Sequence, residues 1–556
     1  MKKSASTLSL KIPATRLFAA LVAAGLAVSG PSAFAAVKTW STSGTTVNFN
    51  HGSNWGGSAP LTGDSLVFGN DNPAGTTALD VLNNDLSAFS FAGITFNADA
   101  PSYTLGGNSF TLTGNVANNS TRLQTLTNAI SITTVSILGG GDFNFSGKIT
   151  GTRLDVGNSS TGFTGKATFS GDNSGLSTAF NLISGMANLN SATAAGGASA
   201  LLTFNAAGGL DNTSGSAITL VSNQPISFAN VTSPVTTYST AAGTANNSIN
   251  LGTGAVSLRT HTLNMNGAGS LTFGGVATNV GGSNIVFTVN NGTSASGTFG
   301  AVIFGGLALS SSTDTTARTV TIGGSGTVNI TGAVTNGNAA GSRLTKSGTG
   351  TLILSGVNTY TGATTINGGT LLINGSTSTG TVTVNSGGTL GGSGTIGGAT
   401  TIANGAFLAA GNSLGVLTFG SSLTLNGTST STMELAGNGG VVGTDFDKIA
   451  VGGAITFNGS LNIVSFGAYD LNQTASYDLF DFGSSSGNFA TVSVASTALT
   501  RSNNIWTGSS GLNTYTFSQV DGILMVTSAI PEPSTYAMLA GLGILGFVTC
   551  RRRRAS

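Results

Sequence analysis

Thr365-Ile366-Asn367-Gly368-Gly369-Thr370-Leu371 returns, slightly altered, as Thr383-Val384-Asn385-Ser386-Gly387-Gly388-Thr389-Leu390 and again as Thr401-Ile402-Ala403-Asn404-Gly405-Ala406-Phe407-Leu408. The apolar residue after the first Thr falls at Ile366, Val384 and Ile402, so the period is 384 − 366 = 402 − 384 = 18 residues. A period of this size is that of one coil of a β-solenoid. Each unit sets β-branched or Leu residues beside Thr in short alternation, then breaks at Asn-Gly or Gly-Gly, which is a strand followed by a turn that needs positive φ. A coil this short cannot bury its own apolar face. Stacked on a like neighbour at roughly 4.8 Å it can, with Ile packed on Ile and the backbone groups paired. The recurring Asn is placed to form side-chain ladders in the turns. Separate hairpins of a β-sandwich are the alternative, but sandwich strands do not repeat their turn residues in register.

Working outward, Leu344-Thr345-Lys346-Ser347-Gly348-Thr349-Gly350-Thr351-Leu352 continues through Leu354-Ser355-Gly356-Val357-Asn358-Thr359-Tyr360-Thr361-Gly362 to Thr370-Leu371. This segment resembles the autotransporter-associated β-strand repeat. The resemblance implies an all-β, right-handed parallel β-helix passenger on the outside of a Gram-negative cell.

Composition agrees with strands. The chain has 556 residues, of which 85 are Gly and only 7% are charged, leaving little material for exposed helix faces. Almost no helix is expected away from the two ends. Hydrophobic residues make up 39% and lie in short alternating runs, which argues for a folded chain over a disordered one. Four basic residues (Lys2, Lys3, Lys11, Arg16) lie in the leader and four (Arg551, Arg552, Arg553, Arg554) in the tail, leaving 19 − 8 = 11 between them against 17 acids. That stretch is mildly acidic, with no basic stripe for nucleic acid.

The N-terminus reads as a secretory signal helix. A basic segment precedes the apolar run Leu17 to Val28, and the small-residue site Ala33-Phe34-Ala35 predicts passage through the Sec translocon and cleavage by signal peptidase before Ala36. The single Cys550 cannot make an intramolecular disulfide, so an exported protein must take its stability from coil stacking. On these signals the chain divides into a leader (1–35), an N-terminal cap with first coils (36–113), irregular coils (114–343), regular repeats (344–414), closing coils and cap (415–528) and a tail (529–556). Trp40 and Trp55 suggest the N-terminal cap, with scattered core aromatics the plainer alternative. Variable spacing in the irregular part predicts longer loops on one side of the solenoid, the usual place for binding, and Ser191 to Ala200 is a loop candidate. About 490 mature residues in coils of roughly 20 predict some 25 coils and a rod near 120 Å.

The tail does not read as a membrane β-barrel. Ile530-Pro531-Glu532-Pro533-Ser534-Thr535, a mostly apolar run from Tyr536 to Cys550, and Arg551-Arg552-Arg553-Arg554 follow one another in an order that resembles the PEP-CTERM protein-sorting signal. About fifteen apolar residues rise about 22 Å as a transmembrane helix, short of a comfortable span, so the hold on the inner membrane is provisional. The Arg cluster orients that helix with its end in the cytoplasm. The resemblance implies that an exosortase recognises Pro531, Glu532 and Pro533, removes the tail and delivers the mature protein to the surface or its polysaccharide matrix.

Chemistry is sparse. The two histidines, His51 and His261, are far apart, and the acids are mostly single. Asp445 with Asp447 is the closest acidic pair outside the turn-like segments, and on a strand both would face the same way. Gly392-Ser393-Gly394-Thr395-Ile396-Gly397 matches the dinucleotide-binding pattern in letters only, since no helix or βαβ unit follows. The turns lack the recurring Asp of calcium-binding β-rolls. No cofactor, metal or catalytic residue is therefore expected. The leading expectation is a non-enzymatic structural or adhesin-like protein of the envelope or biofilm matrix. The alternatives are a carbohydrate-active β-helix enzyme, marked by three or more acids or Arg converging on one coil face, and a carbohydrate-binding surface protein.

Overall fold

The computed structural model describes residues 35–529, except 42–45, 70–80, 222, 230–234, 241–246, 293, 295–296, 439, 468 and 472, together with Leu542. The signal helix, the Pro531-Glu532-Pro533 motif, the apolar tail helix and the four terminal arginines fall outside the described residues, Leu542 apart.

The repeat decides the architecture. Thr364–Ile366, Val382–Val384 and Thr400–Ile402 are strands that pair in parallel, with Ile366 opposite Val384 and Val384 opposite Ile402. Each of these three side chains is fully buried. The next strand of each unit, Gly369–Ile373, Gly388–Gly391 and Phe407–Ala409, forms a second column in which Leu371, Leu390 and Leu408 stack. Ser376–Thr377, Thr395–Ile396 and Val416–Phe419 form a third. The chain thus winds around a three-sided prism whose interior is filled by like residues lying on one another. Burying one such aliphatic side chain contributes roughly 1.5–3 kcal/mol, and the polar turns remain outside.

The third column runs from Val37–Thr39 to Phe480–Gly487 through eighteen strands and a bridge at Val357, which makes nineteen levels among the described residues. At roughly 4.8 Å per level the rod is about 85 Å long, shorter than the 25 coils and 120 Å expected. Coil size explains the difference. Thr365 and Thr383 are paired 18 residues apart, but Ile226 pairs with Val256 and Ala277 with Leu307, each 30 apart. Within 114–343 the long connections leave from two corners of the prism, at 157–165 and 309–318 on one and 190–200 and 292–301 on another, rather than from the one side expected. Residues 191–199 are turns and bends as foreseen, yet Ala194, Ala195 and Ala200 turn inward and plug the core.

Glycine recurs in register because the corners leave no room. A Cβ on Gly356 would lie 2.3 Å from the Gly332 carbonyl oxygen, one on Gly375 2.0 Å from that of Gly356, and one on Gly394 2.0 Å from that of Gly375. Each glycine lets the next coil descend onto the one before it. Gly375→Ala should therefore cost about 1–3 kcal/mol or more through backbone displacement, read as a lowered midpoint in thermal or urea unfolding.

Polar groups inside the corners are satisfied by amides. Asn118, Asn212 and Asn279 are buried, and each Nδ2 donates both to a carbonyl of its own turn and to a carbonyl of the following coil. Outside the corners, Asn385 donates to Asn367 at 2.7 Å, Asn290 to Asn264 at 3.2 Å and Asn83 to Asn48 at 2.9 Å, the expected ladders in short form. Lys346 occupies the inward row between Ile322 and Ile366 and folds its Nζ back onto the carbonyls of Ser347 and Gly348, at 2.7 and 3.1 Å. Burial pushes its ammonium down to about 8. On the outer surface, Thr321, Thr345, Thr365, Thr383, Thr401, Thr424 and Thr456 form an unbroken register of paired threonines.

Both ends of the stack are closed. Trp40, Phe49, Trp55 and Phe68 meet at the first coil, with Trp40 and Trp55 edge to face at 5.0 Å and the Trp55 Nε1 donating to the Phe49 carbonyl. At the other end the parallel stack gives way to a five-stranded antiparallel sheet made of Ala475–Asp478, Ile523–Ser528, Asn513–Ser518, Ile505–Ser510 and Thr500–Ser502. Phe517 of that sheet packs 6.2 Å from Phe480 and 6.3 Å from Phe489, covering the last level of the core. Between residues 35 and 529 the described chain holds a single short 3-10 turn, Gly52–Trp55.

Candidate functional site

Among the described residues the acids expected to matter are placed differently from the sequence reading. Asp445 and Asp447 lie in a loop rather than on a strand, and they point apart. The Asp445 Oδ2 accepts the Gly440 and Val441 backbone N–H groups at 2.9 and 3.0 Å, folding its own loop. Asp447 is 1% exposed, with Oδ1 accepting the Gly415 N–H and Oδ2 the Glu434 N–H, each at 2.8 Å. The true neighbour of Asp447 is Glu434, on the strand Thr430–Leu435. The alternation Met433-Glu434-Leu435, with apolar residues on both sides, was the available signal that Glu434 faces outward beside the coil.

Together Glu434 and Asp447 border a shallow groove of about 300 Å³, lined also by Thr370, Thr389, Asn412 and Thr432. Burial pushes the Asp447 carboxyl up to about 7, against the pull of its two backbone N–H partners and with help from the Glu434 charge. Burial also raises Glu434. Both Asp447 oxygens are engaged by backbone, so this carboxyl staples the 412–415 turn to the strand above it. A third acid or an Arg does not join the pair at this groove. Asp447 thus holds its own scaffold with both oxygens, whereas the buried Oε2 of Glu434 has no hydrogen-bond partner.

The sign of the resulting pH dependence follows from the shift. An unfolded Asp titrates near 3.9, roughly three units below the folded Asp447, so the folded chain keeps a proton that the unfolded chain loses in between. Stability carried by Asp447 is full below about pH 4 and is lost as the pH rises through about 7, on the order of 2–4 kcal/mol in all. Asp447→Asn should flatten this trend relative to the parent chain in urea unfolding at pH 4.5, 6 and 8. His261 works in the opposite sense, because burial pushes it down to about 4. It is common to both chains, so it drops out of the comparison.

The histidines do not meet. His51 is exposed and bonds Ser53, while His261 is buried against Phe228 and Phe287 with one ring nitrogen 2.9 Å from the Thr236 hydroxyl. At the start of the chain, Ala35 and Ala36 of the predicted peptidase site are exposed and immediately precede the first strand, Val37–Thr39; Ala33 is outside the described residues. At the other end, Ala529 donates its N–H to the Leu512 carbonyl, so the chain leaves the antiparallel sheet just before the sorting residues Pro531, Glu532 and Pro533. No helix among the described residues is long and apolar enough to cross a membrane, and the run from Tyr536 to Cys550 is outside them except for Leu542.

Comparison with known proteins bears on both the coils and the tail. Residues 344–373 match the family model of the passenger-associated-transport-repeat. Residues 529–554 match the model of the PEP-CTERM protein-sorting motif. No curated protein matches the chain. Among solved structures, the crystal structure of the Haemophilus influenzae Hap adhesin aligns at 12% identity over 84% of this chain and 64% of that one, with a TM-score of 0.17, too low to transfer a fold. The chain therefore spans less than two thirds of that adhesin's length. With a passenger-associated-transport-repeat in its most regular coils and a PEP-CTERM protein-sorting motif after its last described strand, the protein is an exported, envelope-sorted β-solenoid.

Proposed function

We propose that the protein is a non-enzymatic, adhesin-like structural passenger, displayed at the surface of a Gram-negative cell or held in its polysaccharide matrix once its tail has been removed. On this reading the leader is cut at Ala33-Phe34-Ala35 before Ala36. The run Tyr536 to Cys550 is a transient inner-membrane helix, Arg551 to Arg554 keep its end cytoplasmic, and an exosortase acts at Pro531, Glu532 and Pro533. The regions 36–113, 114–343, 344–414 and 415–528 serve as entry cap, irregular coils, regular repeats and closing cap. The coils wind right-handed, as parallel crossover connections almost always do.

The observation that supports this best is the stack itself: mostly apolar inward residues lie on one another for nineteen levels, with both ends sealed and an outer row of neutral threonines. Such a rod is stiff and poor in charge, and its surface of hydroxyls and amides suits hydrated neutral polymers. A carbohydrate-active enzyme is the second reading, and only the Glu434–Asp447 groove speaks for it. There the buried carboxyl is already committed to backbone partners. Adding protease to intact cells tests the display. The account expects the solenoid to be reached from outside and, because its coils are paired throughout, to be trimmed to a large resistant core. Complete protection until the outer membrane is permeabilised would overturn it.

A further inference from the structure

The first coil contains a carboxylate with a vacancy for a positive charge. Asp64 is 3% exposed. Its Oδ1 accepts the Ala36 backbone N–H at 2.8 Å and its Oδ2 the Leu61 N–H at 2.9 Å. Among the described residues no Lys, Arg or His lies within ion-pairing distance of it. Its backbone is equally engaged, because the Asp64 N–H donates to the Leu61 carbonyl at 3.0 Å and the Ala92 N–H to the Asp64 carbonyl at 2.9 Å, while the next residue, Ser65, donates its N–H to the Ala36 carbonyl at 2.8 Å. Asp64 therefore sits where the first level, the second and the third are tied together. A buried carboxylate held only by neutral donors is less stable than one with a counter-ion.

The donor to Oδ1 is the nitrogen of the residue expected to become the new N-terminus. Hydrolysis of the Ala35–Ala36 peptide bond adds the hydroxyl of water to the Ala35 carbonyl carbon and a proton to the Ala36 nitrogen. The leader then ends in a carboxylate and the mature chain begins with an ammonium, protonated up to about pH 7.7–8 in a free chain. That nitrogen already lies at hydrogen-bond distance from Asp64, and no atom has to move far for the pair to form. We infer that removal of the leader installs the counter-ion of Asp64, so that the α-ammonium of Ala36 locks the first coil and seals the N-terminal edge of the stack only after export. The inference rests on the proposed cleavage before Ala36. It makes Asp64 a maturation sensor in which the uncut precursor has a looser entry coil than the exported chain.

The test compares full-length mature chains that begin at Ala36 with chains that keep Ala33-Phe34-Ala35 in front, each with Asp64 and with Asp64→Asn. Hydrogen exchange of the Leu61 and Ser65 amides is the readout, because their acceptors are Asp64 Oδ2 and the Ala36 carbonyl. Exchange should be about fivefold slower in the chain beginning at Ala36 than in the extended one, on the order of the gain when the donor to a buried carboxylate changes from a neutral N–H to an ammonium, and Asp64→Asn should erase that difference. Should Asp64→Asn fail to fold, acetylation of the Ala36 amine removes the charge and leaves Asp64 in place; it should restore the faster exchange. Equal exchange in the free, acetylated and extended chains would overturn the lock. The intact mass of protein exported with its own leader separately reports where cleavage falls. A first residue other than Ala36 would overturn the underlying cleavage site, and the lock with it, whatever the exchange rates.

Discussion

Val384→Asp should collapse the protease-resistant fold of the regular coils, whereas Thr383→Asp, one residue earlier, should leave it nearly intact. Val384 is fully buried between Ile366 below and Ile402 above. A carboxylate there has no partner and no water, and removing the valine also opens the packing of both neighbours. The combined cost exceeds about 4 kcal/mol. In a stack held by nearest-neighbour contacts, losing one level uncouples the coils on either side of it. Thr383 faces outward between Thr365 and Thr401, where an acid costs only about 0.5–1 kcal/mol in strand preference. Limited proteolysis and thermal unfolding of the two variants read the difference directly. Equal losses, or a larger loss at Thr383, would show that the register is wrong by one residue.

Replacing Pro531, Glu532 and Pro533 together by alanine should leave the coils folded and strip most of the protein from the cell surface. These residues fall within the matched sorting motif and come after the last described strand, Ile523–Ser528, outside the described residues. Proline before and after Glu532 disfavours helix and sheet pairing, which suits recognition by a processing enzyme. Without recognition, the apolar run Tyr536 to Cys550 and the four arginines stay attached, and the protein should accumulate with the inner membrane at unchanged thermal stability. Cell fractionation with an antibody to the coils measures this. Undiminished surface display of the alanine variant would remove the motif from the sorting pathway.

Much of the fold was legible because the repeat is short and literal. The period of 18 residues put Ile366, Val384 and Ile402 in one row, and they do stack. Recurrent glycine was readable as turn chemistry, though its tightest role is the approach of one backbone to the next at Gly356, Gly375 and Gly394. Coil number was overestimated because the spacing of the regular repeats was carried into a middle region whose coils reach 30 residues. The pairing of Asp447 with Glu434 was hidden for a different reason. A loop separates the two residues in sequence, and only its closing antiparallel bridge, Leu435 to Phe446, brings them together. Asp445 and Asp447 were read as neighbours on a strand, where alternation would have aligned them; in a loop it does not apply. The buried Asn118, Asn212 and Asn279 were equally opaque, since an asparagine in a turn and one beneath a turn look alike in sequence.

If this solenoid is sorted by a removable tail, the intact mass of the protein recovered from the outside of the cell shows it. The expected mass is that of a chain that begins at Ala36, contains all the coils through Ser528, and lacks Tyr536 to Arg554. Surface-exposed protein that still carries Arg551 to Arg554, or the whole pool found uncut in the cytosol, would contradict it.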